Sequence, residues 1–162
     1  MSPIDDSNRA KYFKRCYESI DGLWFMKIEE KDGFDHALEI DRRVWEIAPK
    51  IQVRALRELL GLRGDGLPAL ADALRAKAEL DNADVEIELD GDKSLRVIVR
   101  DCLWFRLMQK SKRDHLAGRV GEVICGTEYP VWQREFKITG TFNLKSQLCG
   151  GAECCVMEFR SE

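Results

Sequence analysis

Apolar residues recur every three or four positions through the start of the chain. Across residues 7–31, Tyr12, Phe13, Cys16, Ile20, Leu23 and Trp24 alternate with Lys, Arg and Glu in that rhythm, which predicts an amphipathic helix. Ser7 suits its N-cap and Gly33 its stop. Residues 34–60 continue in helical rhythm with two apolar faces: Phe34, Leu38, Trp45 and Ala48 on one, Ile40, Val44, Ile47 and Ile51 on the other. Two apolar faces predict a helix packed on both sides. Pro49 must kink or split it near Ala48, because proline lacks an amide donor and clashes with the preceding turn. Gly61 ends it, and LPALADALRAKAEL predicts a third helix from about Pro68.

The period then falls to two. Val85, Ile87 and Leu89 alternate with Asp84, Glu86 and Glu88; Asp90-Gly91 marks a turn, and Leu95, Val97 and Val99 return. That is a hairpin over about 84–101. Helical spacing resumes in CLWFRLMQKSKRDHLAGRVGEVIC, broken near Ser111 and closing at Cys125. Thr127 is placed to cap a further helix with Pro130 in its first turn. A second hairpin, about 138–160, sets Phe142, Leu144 and Leu148 on one face of its first strand and closes with CCVMEFR. The order of helices, hairpin, helices, hairpin predicts an α+β fold. Its sheet is four-stranded and antiparallel, with helices packed on it, in a single domain over 1–162.

Composition narrows the class. The 162 residues are 44% hydrophobic and 34% charged, with a net charge of -3. Both signs are interleaved, so no basic face marks a nucleic-acid partner. No apolar run is long enough to span a bilayer, and MSPIDDSNRAKYFKR has no apolar core of a secretory leader. The expected location is cytoplasmic, where thiols stay reduced.

Reduced thiols matter because the chain has six cysteines, three of them in QLCGGAECCVMEFRSE. Adjacent strand residues face opposite ways. Cys155 therefore shares a face with Met157 and Phe159, and Cys154 with Val156 and Glu158. Cys149 precedes Gly150-Gly151, which lets the chain turn, so thiols from the two arms of a hairpin form half of a zinc site. Cys125 and Cys102, both at expected element ends, or His115, offer the other half. Burial as inert apolar thiols and a reactive thiol are the competing readings. Trp24, Trp45, Trp104 and Tyr129 are core candidates that also suit the wall of an apolar pocket, with Asp41 or His115 as its polar group. No nucleophile-elbow, P-loop, HExxH or dinucleotide-binding pattern occurs.

The runs WFMKIEEKDGFDHALEIDRRVW, DCLWFRLMQKSKRDHLAGRVGEVICGTEYPVW and LCGGAECCVMEF resemble the 2-amino-thiazoline-4-carboxylate hydrolase-like proteins, over about Trp24 to Phe159. The C-terminal pattern is also similar to 4-vinyl reductase domains and to phenol-sensing domains of bacterial activators. Those bind small hydrophobic ligands beside a structural zinc. The resemblance puts Cys125, Cys149 and Cys155 on three ligand positions, and Ser146 where a glutamate is expected, with Cys102 as the substitute fourth ligand. The implied function is a small-molecule-binding domain with a structural zinc, taking a small hydrophobic or heterocyclic molecule. One alternative is a hydrolase of a small cyclic amide or thiazoline, with Cys102 as nucleophile and His115 as base. The other is a structural interaction module. A homodimer is the expected assembly.

Overall fold

The computed structural model describes residues 4–162; the three before them, which begin the stretch read as leaderless, lie outside the described residues. The chain divides into two units, Met1–Asp41 and Arg42–Glu162.

The first unit is dominated by α1 (Asp6–Asp32). Its N-cap is Asp5 rather than Ser7, because the Asp5 carboxylate accepts from the Asn8 amide at 2.7 Å. Gly33, at φ 88°, ends the helix in a conformation that side chains resist. The next helix, α2 (Phe34–Trp45), begins in this unit and ends in the second. Phe34 meets Phe25 edge to face at 5.8 Å.

In the second unit, Pro49 splits the long helical pattern as its chemistry requires. Its ring would collide with the carbonyl of the residue four back, which is Trp45, and α2 ends there. Pro49 then occupies the first turn of α3 (Ala48–Leu60), where its missing N–H costs nothing. Helix α4 (Gly66–Asp81) starts two residues before Pro68 and ends on Asn82 in the left-handed region. Strands β1 (Val85–Asp90) and β2 (Ser94–Val99) form the first hairpin. Helix α5 (Leu103–Lys110) stops at Ser111, whose hydroxyl donates back to the Leu107 carbonyl at 3.0 Å. Helix α6 (Asp114–Glu135), strand β3 (Gly140–Ser146), a single 3-10 turn (Leu148–Gly150) and strand β4 (Cys155–Ser161) complete the chain.

The four strands form one antiparallel sheet in the order β1-β2-β4-β3. One face is apolar: Leu95, Val97, Met157 and Phe159 are buried with Val53 and Leu56 of α3, Leu67, Leu70 and Leu74 of α4, and Trp132 and Phe136 of α6. The fold is thus α+β, with a sheet packed against helices. The opposite face is charged. Arg96 reaches Glu88 at 3.3 Å, and Lys145 and Arg160 reach Glu158 at 3.5 and 3.1 Å. Among the described residues no helix is long and apolar enough to cross a membrane.

Candidate functional site: a four-thiol cluster

All six cysteines are free thiols, and four of them gather where β2, α5, α6 and β4 meet. The sheet register explains two. Val99, the last residue of β2, pairs with Cys155, the first of β4. Three residues past Val99 the chain turns into α5, with Cys102 at the N-cap in an extended conformation and its thiol making no capping bond. Cys155 faces the core beside Met157 and Phe159, as strand alternation predicts, while Cys154 lies in the bend before β4 and is partly buried.

Cys149 is brought in by a close approach of backbones. It sits in the 3-10 turn, which lies against Gly118 and Gly121 of α6. A methyl group on Gly118 would stand 3.1 Å from the Cys149 carbonyl oxygen, and one on Gly121 would stand 2.5 Å from Cys149 Sγ. The two glycines let the turn's backbone and thiol come this close to the helix. The Leu148 amide of the turn donates to Cys155 Sγ of β4 at 3.3 Å, and the Ser146 hydroxyl at the end of β3 donates to the Cys154 carbonyl just before β4 at 2.8 Å. The serine standing where the zinc-domain pattern has glutamate is thus spent on the backbone just before β4.

Cys125 corrects an expectation. It does not close a helix. Helix α6 runs unbroken through Gly126 and contains Pro130. Thr127 does not cap a new helix; its hydroxyl donates to the Val123 carbonyl one turn back, at 2.8 Å. Pro130 lies inside α6, where its missing N–H leaves the Gly126 carbonyl, four residues back, without its helical partner. Cys125 therefore lies in mid-helix, away from the C-terminal carbonyl dipoles.

The electrostatics join the four thiols. Burial pushes Cys125 well above the usual thiol range; Glu128 adds to this, and so do Cys102, Cys155 and Cys149. Burial pushes Cys155 up to about 11, against the pull of the Leu148 amide, with Cys102 and Cys149 raising it further. Burial, then Cys102, raises Cys149. Each of the four lies within electrostatic reach of the other three. Cys125, Cys149 and Cys155 are thus held toward the protonated thiol, since burial and the neighbouring thiols both oppose their charged form. Among the described residues no group of three His, Cys, Asp or Glu side chains stands in ligating geometry, so the thiols converge without closing on a common point.

One residue of the site, Glu128, had not been anticipated. Glu128 lies three residues after Cys125 on α6 and so projects from the same side. Burial raises its carboxyl, and Lys77 of α4 opposes the shift. The Trp132 indole N–H faces that carboxyl without closing to a bond of good geometry. Tyr129 borders the cluster too, and burial holds its phenol well above the usual range. Reading the helical period through Gly126 puts Cys125, Glu128 and Tyr129 on one face, which is the signal that could have found Glu128.

The other expected site residues are dispersed. His115 is exposed in the first turn of α6. Ten residues of helix set it about 15 Å along the axis from Cys125. Trp24 is 67% exposed in the first unit, where Asp41 also lies; Trp45 is buried in the second, and Trp104 is partly buried. Tyr129 is core, not a cavity wall: it stacks on Phe142 at 5.8 Å and meets Phe159 edge to face at 6.2 Å. Two recesses stand out elsewhere, neither lined by these aromatics. One, of about 570 Å³, opens to solvent between α4 and β1 and is lined by Arg75, Ala78, Glu79 and Asn82 through Val85. The other, of about 220 Å³, lies on the charged sheet face.

No curated protein matches the chain. A family match covers residues 10–137, about four-fifths of the sequence; it includes Cys102 and Cys125 and stops before Cys149 and Cys155. On that match the chain belongs to the Family of unknown function (DUF6125).

Proposed function

We propose that this protein is a cytoplasmic small-molecule-binding domain whose C-terminal half is held together by a structural zinc, with Cys102, Cys125, Cys149 and Cys155 as ligands. The observation that carries the reading is the gathering of four thiols from four separate elements, Cys155 buried and the others partly buried, each within electrostatic reach of the other three. Four soft donors and no open water position suit a structural rather than a catalytic zinc. The Leu148 amide on Cys155 Sγ is the kind of outer contact that orients a thiolate ligand. When bound, the metal supplies the positive charge that lets these thiols give up their protons. Cys102 then anchors the start of α5, Cys149 the 3-10 turn, and Cys155 the start of β4, all to Cys125 of α6. Small-molecule binding is the role that the resemblance attaches to such a centre.

Elemental analysis with native mass spectrometry tests this. The chain purified under reducing conditions without chelator should carry one zinc. Chelation should lower stability by about 4 kcal/mol if zinc was a thousandfold above its Kd, roughly 10 °C in thermal midpoint at this size. Cys125→Ala should abolish binding, whereas Cys154→Ala, in the bend before β4, should leave it intact. A metal-free chain whose midpoint ignores chelator would overturn the reading.

A further inference from the structure

Helix α1 is 27 residues long, yet none of its residues is buried. Its apolar side chains are not scattered. Phe13, Tyr17, Ile20 and Trp24 follow one another at spacings of four, three and four, the seam of a two-helix coiled coil, with Tyr12 and Leu23 beside them. These six are each between 51% and 67% exposed. At on the order of 100 Å² apiece, they would bury roughly 1,200 Å² across a pair of such helices, enough for a stable contact. A soluble protein rarely leaves an apolar stripe of this size to water.

The charges say what covers it. From Asp6 to Ser19 the helix carries four basic and two acidic residues; from Ile20 to Asp32 it carries four acidic and two basic. One half is net positive and the other net negative. A second copy laid parallel would set like halves together. Laid antiparallel, it sets each basic half on an acidic half, twice, and opposes the two helix dipoles. The apolar seam is self-complementary in the same sense. About a twofold axis passing between residues 18 and 19, Phe13 meets Trp24 of the second copy and Tyr17 meets its Ile20, with Cys16 beside its Leu23. We propose that α1 is a homodimerisation helix that pairs antiparallel with α1 of a second copy in this register. Such a contact is isologous, so it closes on itself as a dimer.

Sedimentation equilibrium of the full chain at tens of micromolar, under reducing conditions, should give twice the 18.6 kDa of one chain. Ile20→Asp should weaken association roughly thirtyfold or more, since it puts a charge at the centre of the seam. Circular dichroism should be unchanged, because α1 contributes nothing to a buried core. Orientation is read separately. Mild oxidation of the Leu23→Cys variant should give a covalent dimer that is lost when Cys16→Ser is added. A monomeric wild type overturns the proposal and leaves the stripe to another part of the chain or to another protein. A dimer indifferent to Ile20→Asp uses a different face. A dimer that Ile20→Asp dissolves, but that forms no Cys16-dependent cross-link, refutes the antiparallel register.

Discussion

Gly140 shows how much one residue can carry. It opens β3 at φ 131°, a region closed to other residues, and a methyl group there would stand 2.0 Å from the Arg160 carbonyl of β4. Neither atom can yield, because both belong to paired backbones. Gly140→Ala should therefore cost about 3 kcal/mol, read as a lowered urea midpoint with unchanged slope. Nothing around Gly140 in the sequence announces this, since Thr-Gly-Thr before a strand reads as an ordinary turn. The cysteines were more legible. Strand alternation put Cys155 inward with Met157 and Phe159, and it lies so, whereas Cys154 falls in the bend before β4, where alternation does not apply. Glu128 was missed because Gly126-Thr127 reads as a helix boundary, which breaks the period that links Glu128 to Cys125.

Among the elements, the contact between α6 and the 3-10 turn is the one that bears on the site. Gly121→Ala tests it. In an ordinary helix the change gains up to about 1 kcal/mol from propensity. Here the new methyl group meets Cys149 Sγ at 2.5 Å and Gln147 Nε2 at 3.1 Å. Side-chain ends can rotate away, so the metal-free protein should keep most of that gain. The rotated Cys149 thiol then points out of the cluster, and zinc affinity should fall at least tenfold, within the range seen when a ligand's supports are disturbed. Thermal midpoints with and without chelator separate the two effects. A variant that binds zinc as tightly as the parent would show that Cys149 is not a ligand. Helix stops were legible at this scale because Gly33, Gly61 and Pro49 act locally. The continuity of α6 was not, because Gly126 and Pro130 each signal a break locally, yet the helix runs through both.

At the scale of the whole molecule, Asp65 clasps the second unit. It precedes α4, and its carboxylate takes Arg57 of α3 at 3.0 Å and Lys137, just after α6, at 2.7 Å. The Lys137 and Arg57 hydrogen bonds hold its pKa below the ordinary range. A carboxyl depressed on folding stabilises the fold above the ordinary aspartate pKa, about 3.9. That contribution is lost as pH falls through the lower folded value. Asp65→Asn should thus lower stability at pH 7, modestly because the site is partly exposed, and the difference from the parent should vanish in acid. Equal midpoints at neutral pH would show the clasp to be without effect. None of this was legible, because the partners stand 8 and 72 positions from Asp65. The same reason separates what the sequence determined from what it left open. The element types, the strand faces, the Pro49 split and the α+β class follow from local periodicity and backbone chemistry, which act over a few residues. The pairing of β2 with β4, and with it the meeting of Cys102 and Cys155, was decided only when distant apolar faces closed over one core, because hydrophobic burial has no direction and does not say which strand must lie beside which.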